Sequence, residues 1–422
     1  CAQDCAEDNG GIDMQKRVMI LGANNFMMPL IKKAKEEGYY TIVASPVKEE
    51  PGFELADEKV YVDLRDKEAV LEQAKRLNID GITTDQAETP VRTVAYVAAR
   101  LGLPGIGEDM AELFTNKYLM REKCREIGID TIKYMLVDNA DDALDFYHTL
   151  GCDAIMKPID SAGSRGVVKL TCDEDLINEF EYTKAASKSG KVIVEEYIDG
   201  KELMIDGVTF NNHYQMLTCG EYKKCQVPGI FSEYLGKYPA EVSPEQFDQA
   251  NILVKQIVEG FGLPWGRTHT EVKVNDRGIW LMETAARGGG RYISSETVPM
   301  MTDFNSASFL LAACTGQIDE PPVIHYKDVS CGYVSMFMPV GEVVSVEGIQ
   351  EAIDLPYTYS NNFEDIHVGM KTNAFMDKIE GRFIHLIAKD DEEFYRRVEE
   401  IKSVIKLKVK TANGIEGPVW ER

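Results

Sequence analysis

KPIDSAGSRGV, residues 157–167, lies between two short apolar runs that favour β-strands. Lysine closes the first run and glycines follow it, so that backbone N–H groups can approach phosphate oxygens closely while hydroxyls and Lys157 supply further donors and charge. The lysine precedes the loop and no helix is predicted to begin after it, which excludes a Walker A loop. The alternative is an ordinary hairpin loop with a surface lysine, and the surrounding sequence has to decide between the two.

The predicted secondary structure changes several times along the chain. Strands alternate with helices from Lys16 to about Gly105, which predicts a doubly wound parallel sheet, although its first turn, GANNFMM (22–28), lacks the GxGxxG of a dinucleotide site. A strand–helix–strand–strand–helix–strand order predicts a small α+β lid, and longer strands follow. We predict a multidomain α/β and α+β protein. Its predicted parts are a tag or disordered extension (1–13), an α/β domain (14–107), a helical connector (108–130), a lid subdomain (131–194), a long-stranded subdomain (195–318) and a C-terminal α+β subdomain (319–422).

Composition excludes several classes of partner. The formal net charge is −24, so no excess of Lys and Arg is available to neutralise nucleic-acid phosphates or to bind an anionic membrane surface. No apolar run approaches the roughly 20 residues that cross a bilayer. An acidic protein that binds an anionic ligand must build a local basic pocket against its own field, so lysines and arginines within motifs become informative.

The nine cysteines are scattered and form no CxxC pair, which indicates neither a zinc site nor a disulfide framework. We expect reduced thiols in a cytoplasmic protein. The first 13 residues are polar and lack the apolar segment of an intact signal peptide, so Met14 is the expected native start.

A second motif, VIVEEYIDGKEL (192–203), ends a predicted strand. Free backbone N–H and C=O groups at Glu195–Ile198, beside an apolar wall, would suit an adenine ring. The carboxylate of Glu202, a few residues later, would suit ribose hydroxyls. The alternative is a charged strand end.

A third motif pairs two strands, HTEVKV (269–274) and IWLMETA (279–285), through the turn NDRG. We predict a three-residue bulged turn with Gly278 in the left-handed conformation, so that residue 275 pairs with 279 and Glu271 lies opposite Glu283. Carboxylates so placed, about 5 Å apart, repel unless a cation lies between them, and hard oxygen ligands favour Mg²⁺. The alternative is a pair of solvated glutamates on an exposed sheet.

Directly after Glu283 comes a loop of three glycines between Arg287 and Arg291, followed by Tyr292. Such a loop can approach a ligand closely, and guanidinium groups suit carboxylate or phosphate. A surface turn is the alternative.

In this order the motifs resemble the ATP-grasp superfamily, from Met14 to about Lys410. Within it the chain most resembles the amino-acid (dipeptide) ligase-like and carbamoyl-phosphate synthetase-like branch, through KPxxSxGSRGV, HTEVK and RGGGR. It is also similar to phosphoribosylglycinamide synthetase and biotin carboxylase. The resemblance implies an N-terminal Rossmann-like domain preceding the ATP-grasp fold, a lid, a catalytic subdomain and a C-terminal α+β subdomain.

The resemblance also implies residue roles. Arg287 and Lys157 are implied as catalytic, and Glu271 and Glu283 as ligands of Mg²⁺, with Mn²⁺ as an alternative. The implied ATP-contacting set is Lys117, Lys157, Ser161, Gly163, Ser164, Gly166, Glu195, Glu196, Tyr197, Ile198 and Glu202. The implied substrate-contacting set is His269, Arg287, Gly289, Arg291 and Tyr292.

The activity implied is that of an ADP-forming carboxylate–amine ligase, which activates an amino acid or another small carboxylate as an acyl phosphate and is expected to be a cytoplasmic homodimer. One position departs from the family, whose second metal glutamate is usually followed two residues later by asparagine; here that residue is Ala285. Three alternatives stay open: a carboxylase or carbamoyl-phosphate synthetase-like enzyme, a phosphoribosylglycinamide synthetase-like enzyme, and an ATP-binding protein without turnover.

Overall fold

The computed structural model describes residues 15–129, 132–161, 163, 165–225, 233–374 and 381–420. The predicted extension 1–13 lies outside these ranges. No helix within them combines the length and apolar character needed to cross a membrane.

The N-terminal part is a four-stranded parallel sheet covered by helices. Its elements are β1 Arg17–Leu21, α1 Met28–Glu36, β2 Tyr40–Ser45, β3 Glu58–Tyr61, α2 Lys67–Arg76, β4 Gly81–Thr83 and α3 Val91–Leu101, with 3₁₀ turns at Asn25–Met27 and Pro51–Glu54. The strand order is β3-β2-β1-β4. In β1, Met19 and Leu21 join the core on one face while Val18 and Ile20 join the core on the other, which is why the strand is a continuous apolar run.

A helical connector leads to the lid. Its helices are α4 Glu108–Leu113 and α5 Lys117–Glu126. The side chain of Asn116 accepts hydrogen bonds from the backbone N–H groups of Tyr118 and Leu119, so it caps α5 and fixes Lys117 as its first residue. The Lys117 N–H donates to the Ile159 carbonyl oxygen at 2.8 Å, which joins α5 to the 157–167 loop.

The lid confirms the predicted order of its elements. They are β5 Tyr134–Val137, α6 Ala140–Leu150, β6 Ala154–Pro158, β7 Val168–Leu170, α7 Asp173–Ala186 and β8 Val192–Glu196. The strands form an antiparallel sheet in the order β5-β8-β6-β7. Side chains of α6 and α7 pack on one face of this sheet, with Phe180 and Val194 at its centre. Strand β8 therefore lies next to β6, the strand that ends with Lys157 and Pro158.

The largest sheet has eight strands in the order β13-β12-β9-β10-β11-β14-β17-β16. Its first strands and their helices are β9 Lys201–Phe210, β10 His213–Lys224, β11 Glu233–Tyr238, α8 Pro244–Phe261, β12 Trp265–Asn275, β13 Gly278–Ala285, α9 Val298–Met301 and α10 Ser306–Cys314, with a π-helical turn at Ile293–Thr297. Successive residues of β9 point to opposite cores: Leu203 and Ile205 pack with α8, whereas Met204 packs with Met300 and Met301.

The C-terminal part continues this sheet. Its elements are β14 Ser330–Met336, β15 Glu342–Glu347, α11 Ile349–Ile353, β16 Thr358–Asn361, β17 Arg382–Ala388, α12 Asp391–Val404, β18 Lys406–Thr411 and β19 Gly414–Glu416. Strand β14 pairs with β11 in a register that sets Leu235 opposite Val334. Strands β15, β18 and β19 form a separate small sheet. The predicted boundaries between domains stay a prediction.

Candidate functional site

The hairpin of β12 and β13 sets Glu271 directly opposite Glu283, as predicted, but by a different route. The predicted turn is wrong, because Asn275 pairs with Gly278 rather than with residue 279 and the φ of Gly278 is +144°, outside the left-handed helical region. That shorter turn alone would have misaligned the carboxylates. The register shifts between Glu271 and Val272, where Met282 is the extra residue on β13, and this bulge restores the pairing.

The two carboxylates differ in their surroundings. The protein around the cleft desolvates Glu271, and the negative charges of Glu202 and Glu283 add to this effect, raising its pKa to about 7. Burial acts in the same direction on Glu283, but it is outweighed by Lys117, whose Nζ lies 2.8 Å from Glu283 Oε1, so the pKa of Glu283 falls below its usual value. Glu283 is thus already paired with a cation, Lys117, whereas negative charges dominate the surroundings of Glu271.

This donor set fits Mg²⁺ shared with a nucleotide. Within the described ranges no group of three or more His, Cys, Asp or Glu side chains could hold a metal ion by itself. Two carboxylates that leave the remaining positions to water and phosphate oxygens are the usual protein share at an ATP-bound Mg²⁺. The next cross-strand pair on the same face is His269 with Ala285, so an imidazole and a methyl group follow the two carboxylates.

Lys157 is buried within a network of charges at the lid. Its Nζ lies 2.6 Å from Glu195 Oε2, and Arg121 Nε donates to Glu195 Oε1 at 2.8 Å. Burial opposes ionisation of Glu195, but the two cations outweigh it and bring its pKa to about 2. Burial lowers the pKa of Lys157, against the attraction of Glu195. The Glu195 carboxylate, predicted at an adenine-reading position, is thus engaged in holding Lys157.

A cavity of about 250 Å³ lies between the lid and the large sheet and collects most of the predicted nucleotide residues. Of the predicted residues, its lining includes Lys117, Lys157, Ser161, Gly163, Glu195, Glu196, Tyr197, Ile198, Glu202, Glu271 and Glu283. Glu202 faces two lysines, Lys224 at 2.9 Å and Lys273 at 3.5 Å. Ser164 lies outside the described residues.

Gly166 closes the 157–167 loop from outside the cavity lining. Its φ is +74°, and a Cβ atom there would lie 2.6 Å from Ala186 Cβ and 2.9 Å from Pro158 Cγ. Only glycine fits between the loop and α7, so the loop packs tightly at its end while the exposed Gly163 lies at the cavity.

The predicted substrate residues lie outside that cavity's lining, and all of them except His269, which lies on β12, come after the carboxyl end of β13. Arg287 Nη1 donates to the Gly288 carbonyl oxygen at 2.9 Å, and Nη2 lies 3.9 Å from Glu88. Arg291 and Tyr292 both have left-handed backbones, with φ of 51° and 56°, which is uncommon for residues other than glycine. Strained backbone of this kind concentrates at functional sites.

Side chains from the N-terminal and C-terminal parts hold this loop. The Tyr292 N–H donates to Gln86 Oε1 at 3.0 Å, and the ring of Tyr292 packs against Phe26 at 5.0 Å between centroids. His385 Nε2 lies 3.2 Å from the Arg291 carbonyl oxygen. His269, also predicted, is joined to Asp206 through Nδ1 at 2.8 Å.

Several of these residues were missed in the sequence. Asp206 is a charged residue within a predicted strand, and Arg267, whose Nη2 lies 3.3 Å from Asp206 Oδ1, stands just before the predicted strand 269–274. Burial of a charge implies a partner, which was an available signal. The DQAE segment, residues 85–88, begins two residues after β4 ends, and ligands of parallel sheets bind at the carboxyl ends of strands. Arg121 gave no signal, because it is one of several basic residues on a polar helix.

Comparisons with known proteins agree with this geometry. The family described as ATP-grasp domain matches residues 150–296. The alanine–anticapsin ligase of Bacillus subtilis (strain 168) is 26% identical over 325 residues, which are 68% of this chain and 67% of that protein. Among the curated relatives compared, the matched share ranges from 49% to 96% of the relative's length.

Two solved structures establish the fold over nearly the whole chain. The L-amino acid ligase from Bacillus licheniformis has a TM-score of 0.78 at 20% identity, covering 94% of this chain and 99% of that one. The phosphoribosylglycinamide synthetase from Anaerococcus prevotii has a TM-score of 0.76 at 19% identity, covering 94% and 100%. The predicted resemblance to the ATP-grasp superfamily is confirmed by the match at residues 150–296, and the predicted fold class is confirmed by these two structures.

Proposed function

Because residues 150–296 form an ATP-grasp domain, we propose that this protein is an ADP-forming carboxylate–amine ligase whose acid substrate is an amino acid or another small carboxylate. The observation that carries the proposal is the pair Glu271–Glu283, opposed on neighbouring strands and lining the same cavity as Lys117 and Lys157. Relatives and structural neighbours named as amino-acid ligases support this choice of substrate class.

In the proposed site the lid and the large sheet each bind part of the nucleotide. The strand end 196–198 receives the adenine, and Glu202 accepts hydrogen bonds from the ribose. Lys157, held by Glu195, binds the phosphates, and the loop that follows it excludes water from the reacting groups. Glu271 and Glu283 would hold Mg²⁺, which would supply charge neutralisation at the phosphates.

In this proposal Arg287 acts on the transferred phosphoryl group and on the acyl phosphate. It lies two residues after the end of β13 and four residues after Glu283, with its guanidinium between Gly288 and Glu88. There it offsets the charge that develops when the acid attacks the γ-phosphorus, and again when the amine attacks the acyl phosphate. Amide, phosphate and ADP are the products. A homodimer and a cytoplasmic location stay predictions.

A second candidate uses the same activation chemistry on a different acid. The structural likeness to a phosphoribosylglycinamide synthetase is nearly as high as that to the amino-acid ligase, which keeps other acid–amine pairs in view. A third, ATP binding without turnover, follows from Ala285, which offers no oxygen ligand beside Glu283.

The deciding experiment is Mg²⁺-dependent ADP release, screened with amino acids, glycine with phosphoribosylamine, other small carboxylates and bicarbonate, singly and in pairs. We expect stimulation by one acid–amine pair, together with a new amide detected by mass spectrometry. Lys157→Ala serves as the inactive reference, and Lys191→Ala, an exposed lid lysine paired with Asp138, serves as the matched control. ATP binding with flat release across the whole panel would refute the ligase.

A further inference from the structure

Two buried carboxylates receive the backbone N–H groups of consecutive glycines in the RGGGR loop, residues 287–291. Gly288 N donates to Asp85 Oδ1 at 3.1 Å, and Gly289 N donates to Asp206 Oδ1 at 2.8 Å. Asp85 is 4% exposed and Asp206 is fully buried. One aspartate follows β4 of the N-terminal sheet and the other lies on β9 of the large sheet, so two separate parts of the fold meet at one loop.

A single buried arginine compensates both carboxylates. Arg267 Nη2 lies 3.3 Å from Asp206 Oδ1, and Arg267 Nη1 donates at 3.0 Å to Ser294 Oγ, which in turn donates at 2.7 Å to Asp85 Oδ2. Burying three charged groups costs free energy unless their geometry is well satisfied. An arrangement of this kind, placed against a loop that carries two arginines, calls for a role beyond packing.

The glycines let the loop come close to these carboxylates. A Cβ atom on Gly288 would lie 2.6 Å from Asp85 Oδ1, and one on Gly289 would lie 2.9 Å from Asp206 Oδ2. Both distances are too short for real contacts, so any side chain would push the loop off its anchors. The loop therefore depends on glycine for attachment and not for flexibility.

The anchors act on the residue before them. Asp85 holds the N–H of Gly288, in the peptide that joins it to Arg287. The carbonyl oxygen of Gly288 accepts from Arg287 Nη1 and belongs to the Gly288–Gly289 peptide, whose N–H donates to Asp206, so the peptide unit fixed by Asp206 also receives the guanidinium. Asp206 additionally holds the imidazole of His269, a residue on the face of Glu271. We propose that Asp85 and Asp206 are positioning residues that fix the Gly288 and Gly289 peptides and thereby aim Arg287 at the reacting phosphoryl and acyl groups.

This inference rests on the proposed ligase function and is tested first by kinetics. Asp85→Ala should lower kcat of amide formation roughly 100-fold, the scale of a misplacement of about 1 Å, and should leave the Kd for ATP within about twofold. ADP released per amide should rise, because a badly aimed acyl phosphate is lost to water. Asp85→Asn keeps an oxygen for the Gly288 N–H and should recover a large part of the loss. Asp206→Ala and Asp206→Asn should behave in the same way.

The matched control is Asp57→Ala, directly before β3 of the N-terminal sheet. Asp57 accepts hydrogen bonds from the Thr41 backbone N–H and hydroxyl but lies away from the loop, so its loss perturbs the domain without touching Arg287. If Asp85→Ala folds poorly, Ser294→Ala removes one of the two bonds to Asp85 and should show a smaller loss of the same kind. The inference is overturned if kcat changes no more in the Asp85 and Asp206 variants than in Asp57→Ala.

A readout independent of turnover separates this inference from the proposed function. Hydrogen exchange of the peptide containing residues 286–292, followed by mass spectrometry, should accelerate in Asp85→Ala and Asp206→Ala but not in Asp57→Ala. Unchanged exchange would overturn the anchoring even in an active enzyme. If exchange accelerates in the Asp85 and Asp206 variants but the wild-type protein makes no amide, the anchoring stands and only the ligase function is refuted.

Discussion

Arg121 and Glu195 form a buried ion pair, with 2.8 Å between Nε and Oε1 and only 1% and 2% of the two side chains exposed. The pair reaches from α5 to the lid strand β8. Arg121 Nη2 also donates at 2.9 Å to the carbonyl oxygen of Met282, the bulged residue that brings Glu271 opposite Glu283. One guanidinium thus joins the connector, the lid and the β12–β13 hairpin.

Removing Arg121 should destabilise the protein strongly. Arg121→Ala leaves the buried Glu195 carboxylate with Lys157 alone and the Met282 carbonyl without this donor, so we expect a loss of about 3–5 kcal/mol in the free energy of unfolding. Urea titration followed by circular dichroism measures it. Arg125, on the same helix, is 68% exposed and pairs with Glu122 at the surface. Arg125→Ala should cost less than about 1 kcal/mol, and equal losses for both variants would contradict the role given to Arg121.

Lys157→Ala should weaken ATP binding. The side chain lies in the cavity beside Lys117, and its removal deletes a charge from a desolvated phosphate site. A lost charge-assisted contact of roughly 1.5–3 kcal/mol corresponds to a Kd about 10- to 100-fold higher by calorimetry. Lys191→Ala is the control and should bind ATP as the wild type does. An unchanged Kd for Lys157→Ala would show that the 157–167 loop does not hold the phosphates.

Glu283→Gln should abolish most Mg²⁺-dependent turnover while sparing the fold. The substitution keeps size and hydrogen-bonding capacity but removes the charge that Lys117 and a cation share. We expect a fall in kcat of at least about 100-fold and a higher half-saturating Mg²⁺ concentration. Glu342→Gln, on β15 away from the cavity, is the matched control. Full Mg²⁺-dependent activity in Glu283→Gln would remove the metal site from this hairpin.

Buried His385 should make the protein sensitive to acid. Burial lowers its pKa to about 3, and the imidazole bonds the Arg291 carbonyl oxygen through Nε2 and Ser360 Oγ through Nδ1. The unfolded chain takes up a proton below its ordinary pKa of about 6.5 and the folded protein does not, so stability falls as the pH drops from about 6.5 towards 3 and is unaffected by this residue above about 7.

The contribution of His385 to the pH dependence of stability can be measured by comparing the wild type with a variant that lacks the imidazole. At pH 5 the wild type should lose about 2 kcal/mol more unfolding free energy, relative to pH 7.5, than His385→Gln does. Glutamine keeps a donor for the Arg291 carbonyl oxygen and does not titrate. His148→Gln changes an exposed histidine on the lid and serves as the control. Parallel pH profiles for the wild type and His385→Gln would contradict a neutral buried imidazole.

Local pattern was enough for the elements and for the order of the motifs, because apolar periodicity and turn residues are local properties of the chain. It was not enough for the hairpin turn. The facing of Glu271 and Glu283 was predicted from an assumed three-residue turn, whereas the structure combines a shorter turn with a bulge at Met282. The predicted turn was one residue too long and the bulge at Met282 was not predicted. The two errors cancelled, because sequence spacing determines only the combined number of residues in the turn and the bulge.

The residues that were missed depend on distant contacts. Asp85 and Asp206 lie 121 positions apart in the sequence. Each accepts a hydrogen bond from a glycine N–H that is distant in the sequence and comes close only when the chain folds. Glu195 was predicted from its place beside Tyr197, yet its carboxylate turns to Arg121, 74 positions away. Charge pairing between residues so far apart follows from sheet packing and cannot be predicted from the local spacing of residues in the sequence.

The eight-stranded sheet has a consequence for engineering chimaeras. Its strands run from the β12–β13 hairpin through β11 into β14, β17 and β16, so the segments proposed to bind the nucleotide and the C-terminal segments share one hydrogen-bonded ladder. A graft of the C-terminal part from a relative, joined between α10 and β14, would succeed only if the donor strand reproduced the Leu235–Val334 register. A slip by one residue would turn every buried side chain of β14 to the opposite face. Exchanges meant to alter substrate choice should therefore replace loops between strands and leave the ladder intact.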